Sequence, residues 1–265
     1  MHKTGDSMLE VAYTQHRGKR NPRQQDALWN GAACLQQVDA EPAVHALGLP
    51  VWLAVADGVA SSPSAERASL LVVEALAKRV PEQGLSARTL RTVHGTLCDR
   101  YARGATFGSS TTVVAAQWTA DGVTVLNCGD SRAYLIAGAG GWTRLSHDHT
   151  VLNELIAAGQ ADPGTEYASL YHALSDCLVA DHDEDRFAIH QAKASPVPGD
   201  CLLLCSDGVH DTLGEARLKA LFDPALSLSQ QVSLWREAVL AAGAPDNFSL
   251  ILARWADSTD KENAA

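Results

Sequence analysis

The sequence has 265 residues, of which 46% are hydrophobic and 20% are charged, a composition typical of a soluble globular protein. Its formal net charge of −10, with no basic cluster to offset it, argues against nucleic acid or an anionic membrane as the main partner. No apolar run reaches the roughly 20 residues of a membrane-spanning helix, and the N-terminus lacks the apolar stretch of a secretion signal, so we expect a cytoplasmic protein.

The chain shows no internal repeat and no linker rich in proline, glycine or serine. We therefore expect a single domain over residues 1–265, with an ordered core at about 9–255 and a flexible tail at 256–265. No heptad pattern indicates more than a monomer. The cysteines form no C-x-x-C pair and are interpreted as reduced, buried thiols: Cys34, Cys98, Cys128, Cys177, Cys201 and Cys205.

The first elements in chain order are strands. We predict a strand at Leu9–Thr14 and the beginning of a second strand at 24–29. Residues 33–50 are ambiguous, because Pro42 and Pro50 interrupt any long element.

The apolar run Val51–Ala56 predicts a buried strand that stops at Asp57-Gly58. Asp-Gly usually forms a hairpin turn, but no second strand follows here. Instead, apolar residues at helical spacing predict a helix at about 65–78, with Ser62 as its N-terminal cap. A carboxylate therefore lies where a strand gives way to a helix.

The remainder of the chain alternates between helices and strands. A helix capped by Ser86 and stopped by Gly104 precedes four strand-forming runs, at 111–117, 123–128, 132–137 and 142–145. After them we predict a helix at about 150–158, an irregular insertion at 160–185, a strand at 201–205, a helix at about 229–241 and a strand at 248–255. Because the strand runs are separated by short turns, antiparallel sheets covered by helices are favoured, and the fold class is α+β.

Four aspartates share a position at the end of a predicted strand. Asp57, Asp130 and Asp207 follow apolar runs, and Asp246 immediately precedes the last strand. Aspartate is common at turns, so each of them alone is a weak signal. Together they predict carboxylates that converge on one rim of the sheets, where protons or cations must neutralise them. Oxygen ligands favour Mg²⁺ or Mn²⁺, and two such ions ~4 Å apart activate water for in-line attack on phosphorus.

A series of short motifs occurs in a fixed order: Asp57-Gly58 with Glu66-Arg-Ala-Ser69, Ser110-Thr-Thr112, Gly129-Asp-Ser-Arg132, Leu145-Ser-His-Asp-His149, Leu204-Cys-Ser-Asp-Gly-Val-His-Asp211 and Asp246-Asn247. This ordered set resembles the type 2C metal-dependent protein serine/threonine phosphatases (the PPM family), in particular bacterial-type single-domain members. The resemblance covers about residues 15–255. It implies a four-layer α-β-β-α sandwich of two antiparallel sheets flanked by helix pairs, with metal ions in a cleft at one end.

The resemblance also implies a set of metal ligands for two Mn²⁺ or Mg²⁺ ions. Asp57 corresponds to the residue that bridges both ions, and the carbonyl group of Gly58 to a ligand of one of them. Asp207 and Asp246 correspond to ligands of the other ion. Asp130 corresponds to a ligand of a weaker third ion that some members bind.

Two departures from the family pattern concern the N-terminal motif. Asp26 resembles the acidic residue that orients metal-bound water, but Gln25 stands where the family usually has a second carboxylate. Asn21 occupies the position of an arginine that grips the substrate phosphate, with Arg20 and Arg23 on either side. We assign the phosphate-binding role to Arg20; the alternative is an ordinary solvated loop charge.

A third departure concerns protonation of the leaving group. Bacterial-type members often carry a histidine five residues after the bridging aspartate, where this chain has Ser62. If that histidine is the proton donor, its absence costs on the order of 10²-fold in rate. His210 and His149 are possible substitutes, although a lone histidine more often has a structural role. Asp211 is interpreted equally well as part of the site or as a helix-terminal residue.

The function implied by the resemblance is hydrolysis of phosphoserine and phosphothreonine in proteins, through a hydroxide that bridges the metal ions. The substrates would be targets of a cognate serine/threonine kinase. The alternative hypothesis is a catalytically weakened or inactive phosphatase-like domain that acts as a regulatory or binding module. A third hypothesis is a phosphatase that acts on a small phosphorylated metabolite. The acidic cluster at 181–185 is interpreted as a solvated loop.

Overall fold

The computed structural model describes residues 8–165 and 167–256. The strands are β1 Met8–His16, β2 Ala27–Trp29, β3 Cys34–Leu35, β4 Asp39–Gly48, β5 Val51–Ala56, β6 Ser110–Thr111, β7 Val113–Thr119, β8 Gly122–Cys128, β9 Arg132–Ile136, β10 Trp142–Arg144, β11 Leu178–Val179, β12 His190–Ala194, β13 Cys201–Cys205 and β14 Phe248–Ala256. The α-helices are α1 Ala65–Gln83, α2 Ala87–Tyr101, α3 Val151–Ala157, α4 Asp207–Leu213, α5 Glu215–Ala220 and α6 Leu228–Ala241. Short 3₁₀ turns lie at Gly104–Thr106 and Ser169–His172.

Two antiparallel sheets form the centre of the molecule. The first has the strand order β10-β9-β13-β14-β1-β4, and the second has the order β12-β8-β7-β5-β2-β3. One apolar cluster lies between the sheets, a second packs α1 and α2 on the outer face of the second sheet, and a third packs α4 to α6 on the outer face of the first. The predicted α-β-β-α sandwich is therefore confirmed.

The continuous apolar runs in the sequence correspond to strands that are buried on both faces. In β13, Leu202 and Leu204 face the other sheet, whereas Cys201, Leu203 and Cys205 face the helices. All six cysteines are free thiols. Burial raises the pKa of Cys205 to about 12, so its thiol stays protonated and unreactive at neutral pH.

The prediction for residues 33–50 was wrong. Pro42 lies within β4, a ten-residue strand, instead of ending it. β4 is at the edge of its sheet, and its register with β1 shifts between Tyr13 and Gln15, beside Pro42. Proline has no N–H group to donate, and an edge strand at an irregularity is where that loss is tolerated.

The predicted beginning of α1 at about residue 65 is confirmed, but the predicted cap residue was wrong. Ser64, not Ser62, is the cap residue, and its side chain makes no capping hydrogen bond. The Ser62 hydroxyl group is instead an acceptor for the backbone N–H of Ser110, at 3.1 Å. Ser62 therefore ties the loop that follows Asp57 to β6. The Ser86 cap of α2 is confirmed, since its hydroxyl group accepts a hydrogen bond from the Thr89 N–H.

The insertion at 160–185 contains more regular structure than predicted. Its 3₁₀ turn precedes β11, which pairs with β6 in a separate two-stranded sheet. The predicted tail lies outside the described residues beyond Ala256. Within the described ranges, none of the helices combines the length and the apolar character needed to cross a membrane.

Candidate functional site

The antiparallel registers bring the ends of several strands to one rim of the sandwich. Ala27 pairs with Ala56, which places Asp26 beside Asp57. Cys205 pairs with both Leu250 and Arg132, so Asp207 lies between the segments that hold Asp246 and Asp130. The sequence-predicted aspartates therefore come together.

The shared, buried location raises the pKa values of these carboxyl groups. Burial, and then the charges of Asp207 and Asp26, raise the pKa of Asp57 well above its usual value. Burial and the Asp207 charge do the same for Asp130. Burial also raises the pKa of Asp207. Without a counter-ion, carboxylates that are crowded together repel each other, so some of them retain their protons.

Asp26 is fully buried in a network of hydroxyl groups. Its Oδ2 atom accepts hydrogen bonds from Ser206 Oγ at 2.9 Å and from Ser249 Oγ at 2.8 Å. Gln15 Nε2 donates to Ser249 Oγ at 3.0 Å, which fixes that hydroxyl group. Burial nevertheless raises the pKa of Asp26 to about 7, against the opposing effect of the Ser249 hydrogen bond. Its Oδ1 atom is buried and has no hydrogen-bond partner.

Asp57 is positioned by its backbone. Its carbonyl oxygen accepts hydrogen bonds from Thr111 Oγ1 and from the Thr112 N–H, both at 2.8 Å. The next residue must be glycine, because a Cβ atom on Gly58 would lie 2.8 Å from the carbonyl oxygen of Gln25 and closer still to that of Ala65. Strand β6 and the N-terminus of α1 therefore clamp the Asp57-Gly58 turn.

The basic loop at 17–25 is held against the site by Asn247, whose role the sequence did not indicate. Asn247 Nδ2 donates to the carbonyl oxygens of Arg17 and Arg23, at 2.6 and 3.0 Å, and its Oδ1 accepts from the Gln25 N–H at 2.9 Å. Asn21 Nδ2 donates to Asp246 Oδ1 at 2.6 Å. Because these partners are more than 200 residues apart, only the position of Asn247 next to Asp246 gave a signal.

A cavity of about 300 Å³ opens beside the carboxylates. Its lining residues are Arg20, Asp207, Gly208, Asp211, Thr212, Pro245 and Asp246. Arg20 thus shares a cavity with two of the predicted metal ligands. Arg23 does not line it, and pairs on the surface with Glu66 at 3.0 Å.

The Asp130 turn is held by the side chains of His149 and Asn127. His149 Nδ1 accepts a hydrogen bond from the Gly129 N–H at 3.0 Å, and the His149 N–H donates to the Gly129 carbonyl oxygen. Asn127 Nδ2 donates to that same oxygen at 3.1 Å. His149 is therefore a buried structural residue, as the more common interpretation of a lone histidine predicts.

His210 also makes structural contacts with both ring nitrogens. Nε2 lies 3.1 Å from the Asp130 carbonyl oxygen and Nδ1 lies 2.9 Å from Asp211 Oδ1. Both partner atoms are oxygens that accept hydrogen bonds. The His210 hydrogen bond lowers the pKa of the Asp211 carboxyl group, whose side chain is largely exposed.

The chemistry of the cluster suits hard cations, although its side chains do not form a ready-made cage. In the part of the chain that the structure describes, no three Asp, Glu, His or Cys side chains are arranged as a metal site. However, Asp26 Oδ1 and Asp207 Oδ1 are both buried without a hydrogen-bond partner. Such orphaned oxygens cost free energy unless a cation, a proton or water meets them. An oxygen-only set of this kind fits Mg²⁺ or Mn²⁺.

Comparison with known proteins gives consistent matches. The serine/threonine protein phosphatase PstP of Mycobacterium tuberculosis is 29% identical over 210 residues, which cover 76% of this chain and 40% of PstP. The serine/threonine phosphatase stp of Listeria innocua is 27% identical over 146 residues, which cover 55% of this chain and 56% of that protein. The alignments thus span 40% of the first of these relatives and 56% of the second.

Solved structures show the same fold. The crystal structure of the M. tuberculosis phosphatase PstP/Ppp superposes with a TM-score of 0.76 at 23% identity, covering 94% of this chain and 100% of the other. The PstP catalytic domain in complex with two manganese ions superposes with a TM-score of 0.72 at 22% identity, covering 95% and 100%. The family model for protein phosphatase 2C matches residues 36–242, well over half of the chain. The chain therefore belongs to the protein phosphatase 2C family.

Proposed function

We propose that this chain is a metal-dependent phosphatase that hydrolyses phosphoserine and phosphothreonine in proteins. The observation that carries the proposal is the convergence of aspartates with two unpartnered buried oxygens beside a cavity that Arg20 lines. Family membership supports it, as do the names of the relatives, which are serine/threonine phosphatases. The manganese ions of the PstP structure favour Mn²⁺ or Mg²⁺ as the cofactor.

The residues that would hold the ions are Asp57, the Gly58 carbonyl group, Asp207 and Asp246, with Asp130 for a weaker third ion. When bound, such ions polarise the phosphoryl oxygens and lower the pKa of the water that attacks phosphorus. The chain itself prepares the site for them. The Ser206 and Ser249 hydroxyl groups orient Asp26, and the β6 contacts fix the Asp57 backbone.

The substrate is positioned by the protein's own side chains. Arg20 binds the phosphoryl oxygens, because a guanidinium group matches their charge and geometry. Asp26 offers its unpartnered Oδ1 as the acceptor that orients the attacking water. His149 and His210 are both occupied by structural hydrogen bonds. Solvent water therefore protonates the departing serine or threonine oxygen in the absence of a histidine at Ser62.

The proposal is tested with a phosphothreonine peptide in the presence of Mn²⁺, Mg²⁺ or a chelator. We expect phosphate release that requires the metal, and that exceeds release from free phosphoserine, because a protein substrate also contacts the rim of the cavity. An enzyme that prefers free phosphoserine would instead be a metabolite phosphatase. No release at any concentration of either metal would contradict the enzymatic proposal.

Two observations favour a second candidate, an inactive regulatory module. The described side chains do not preassemble a metal site, and Gln25 replaces a family carboxylate. Calorimetric titration with Mn²⁺ separates the two candidates. Binding of two ions supports the phosphatase, whereas an absence of binding supports the module.

The contribution of Arg20 is predicted from its position. Arg20→Ala should lower kcat/KM for the phosphothreonine peptide by about 10²-fold, because it removes a charged donor to the phosphoryl group. Arg23→Ala is the matched control, since its exposed ion pair with Glu66 contributes at most about 1 kcal/mol. A larger loss for Arg23→Ala than for Arg20→Ala would transfer the role to Arg23.

A further inference from the structure

A cavity of about 750 Å³ shares no lining residue with the carboxylate site. It lies between α2 and the segment at 182–187, on the helical side of the second sheet. Its lining residues are Arg91, His94, Gly95, Cys98, His182, Asp185, Arg186 and Phe187. We call this cavity the α2 groove.

Two arginines line the α2 groove, and of the acidic cluster at 181–185 only Asp185 contributes a carboxylate to the lining. The Arg91 guanidinium group lies 5.1 Å from the centre of the Phe187 ring and donates to the Asp185 backbone carbonyl group at 3.2 Å. Neither Arg91 nor Arg186 forms an ion pair with any described residue. Both guanidinium groups are exposed, and Asp185 is the single carboxylate in the lining.

The two walls of the groove are joined by a contact between buried rings. The His94 ring lies 4.8 Å from the Phe187 ring in an edge-on contact, and its Nε2 bonds to the Val179 carbonyl oxygen at 2.8 Å. Phe187 and His94 are both buried. The aromatic pair therefore connects α2 to the segment that carries Arg186.

Gly95 provides a second, independent observation. It is an exposed residue in the middle of α2, where glycine costs about 1 kcal/mol relative to alanine. No atom lies within 4 Å of the place that a Cβ atom would take, and its backbone is helical, so neither packing nor conformation requires glycine. Because Gly95 has no side chain, the bottom of the groove is open, and the backbone of another chain can approach α2 closely there.

We propose that the α2 groove docks an acidic segment of the protein substrate, at a distance from the phosphorylated residue. Two unpaired guanidinium groups complement carboxylate side chains, and the Gly95 floor admits a peptide backbone. The groove is connected to the aspartate site, because the Val179 carbonyl oxygen that bonds His94 belongs to β11, which pairs with β6, and the Thr111 hydroxyl group of β6 donates to the Asp57 carbonyl oxygen. That the bound segment belongs to a substrate depends on the proposed phosphatase function, whereas the binding of an acidic peptide to the groove does not.

The binding test uses a fluorescent, unphosphorylated decapeptide rich in glutamate, with the protein in chelator at low salt. We expect saturable binding that the double variant Arg91→Gln/Arg186→Gln weakens about tenfold or more, from the loss of two charge-assisted contacts. The matched control is Lys193→Gln/Arg217→Gln, which removes the same charge from exposed positions on β12 and α5. It should bind as the wild type does.

A second variant excludes misfolding as the cause. Gly95→Leu fills the groove at a position open to a side chain, and leucine is the better helix former, so the protein should become more stable while binding is lost. Equal binding of an alanine-rich decapeptide, or equal losses in the groove variant and the control, would overturn the proposal.

A kinetic test links the groove to catalysis. The Arg91→Gln/Arg186→Gln variant should raise KM for a phosphopeptide that carries a distant acidic segment, with kcat unchanged. Its KM for an aryl phosphate should stay at the wild-type value. A wild-type protein that binds the acidic decapeptide but hydrolyses neither compound would contradict the proposed function alone.

Discussion

Asp57→Asn should abolish phosphatase activity and, in the same protein, stabilise the metal-free fold. The activity loss should be on the order of 10³-fold or more in kcat, because the variant replaces the carboxylate that we propose as a metal ligand where charge develops on the phosphoryl group. The gain in stability follows from burial and from the repulsion by Asp207 and Asp26, which raise the pKa of Asp57 well above its ordinary value. Each unit by which folding raises the pKa of a carboxyl group corresponds to about 1.4 kcal/mol of destabilisation of its ionised form.

These opposite effects distinguish a metal ligand from an ordinary structural aspartate. Substitution of a structural aspartate would lower both the activity and the stability of the protein. Substitution of a metal ligand instead lowers the activity and raises the stability of the metal-free fold. The measurements are peptide dephosphorylation with Mn²⁺ and urea unfolding in chelator at about pH 7.5. Asp121→Asn, in the exposed turn between β7 and β8, is the control and should change neither. A destabilised, inactive Asp57→Asn protein would contradict the ligand assignment.

The convergence of the aspartates could be predicted because it depends on short-range patterns. Three of the apolar runs that are long enough for a strand lead into an aspartate, and antiparallel pairing brings their ends to the same rim. Asp57, Asp130 and Asp207 follow this rule. The layers of the fold could be predicted for the same reason, since continuous apolar runs such as Cys201–Cys205 mark strands that are buried on both faces.

The supporting residues could not be predicted, because their partners are distant in sequence. Ser249 donates to Asp26 across 223 positions, and Asn247 bonds the Arg17 carbonyl group across 230. A buried serine or asparagine carries no local sign of which distant group it serves. Ser62 shows the converse problem: it satisfies the local rule for a helix cap, but a tertiary contact with Ser110 takes its hydroxyl group.

The α2 groove was missed for a related reason. The acidic cluster at 181–185 dominates that part of the sequence, and it predicts a solvated loop. In the structure, Arg91 of α2 lines one cavity together with Arg186 and lies over the Phe187 ring. The two guanidinium groups of the groove therefore come from two separate segments of the chain. Gly95 gave a signal within the sequence, a glycine inside a helical pattern, but its significance depends on the open space around it.

In the metal-free protein, the ionisation of Asp26 should lower the free energy of unfolding as the pH rises from about 5 to about 7. Burial raises its pKa from 3.8 to about 7. The folded state therefore holds the Asp26 proton more tightly than the unfolded chain does. Folding takes up a proton between these two values, so the free energy of unfolding falls by about 1.4 kcal/mol per pH unit across that window.

Four histidines, two of them buried and two half-buried, act in the opposite direction, and their contributions must be subtracted. Burial lowers the pKa of each of them, so the unfolded chain binds their protons more tightly and stability rises with pH as far as about 6.5. The group comprises His16, His94, His149 and His190. The informative quantity is therefore the difference in unfolding free energy between Asp26→Asn and the wild type, in which these contributions subtract out.

In chelator, this difference should grow in favour of Asp26→Asn by about 1.4 kcal/mol per pH unit from about pH 5, and level off above about pH 7. Added Mn²⁺ should reverse the trend in the wild type, because ionised carboxylates are the form that binds a cation, and binding stabilises the folded state by about 2.7 kcal/mol at a concentration 100 times Kd. A difference that stays constant with pH would show that Asp26 is ionised in the metal-free fold. The Ser206 and Ser249 hydroxyl groups would then be sufficient to hold its charge without a cation.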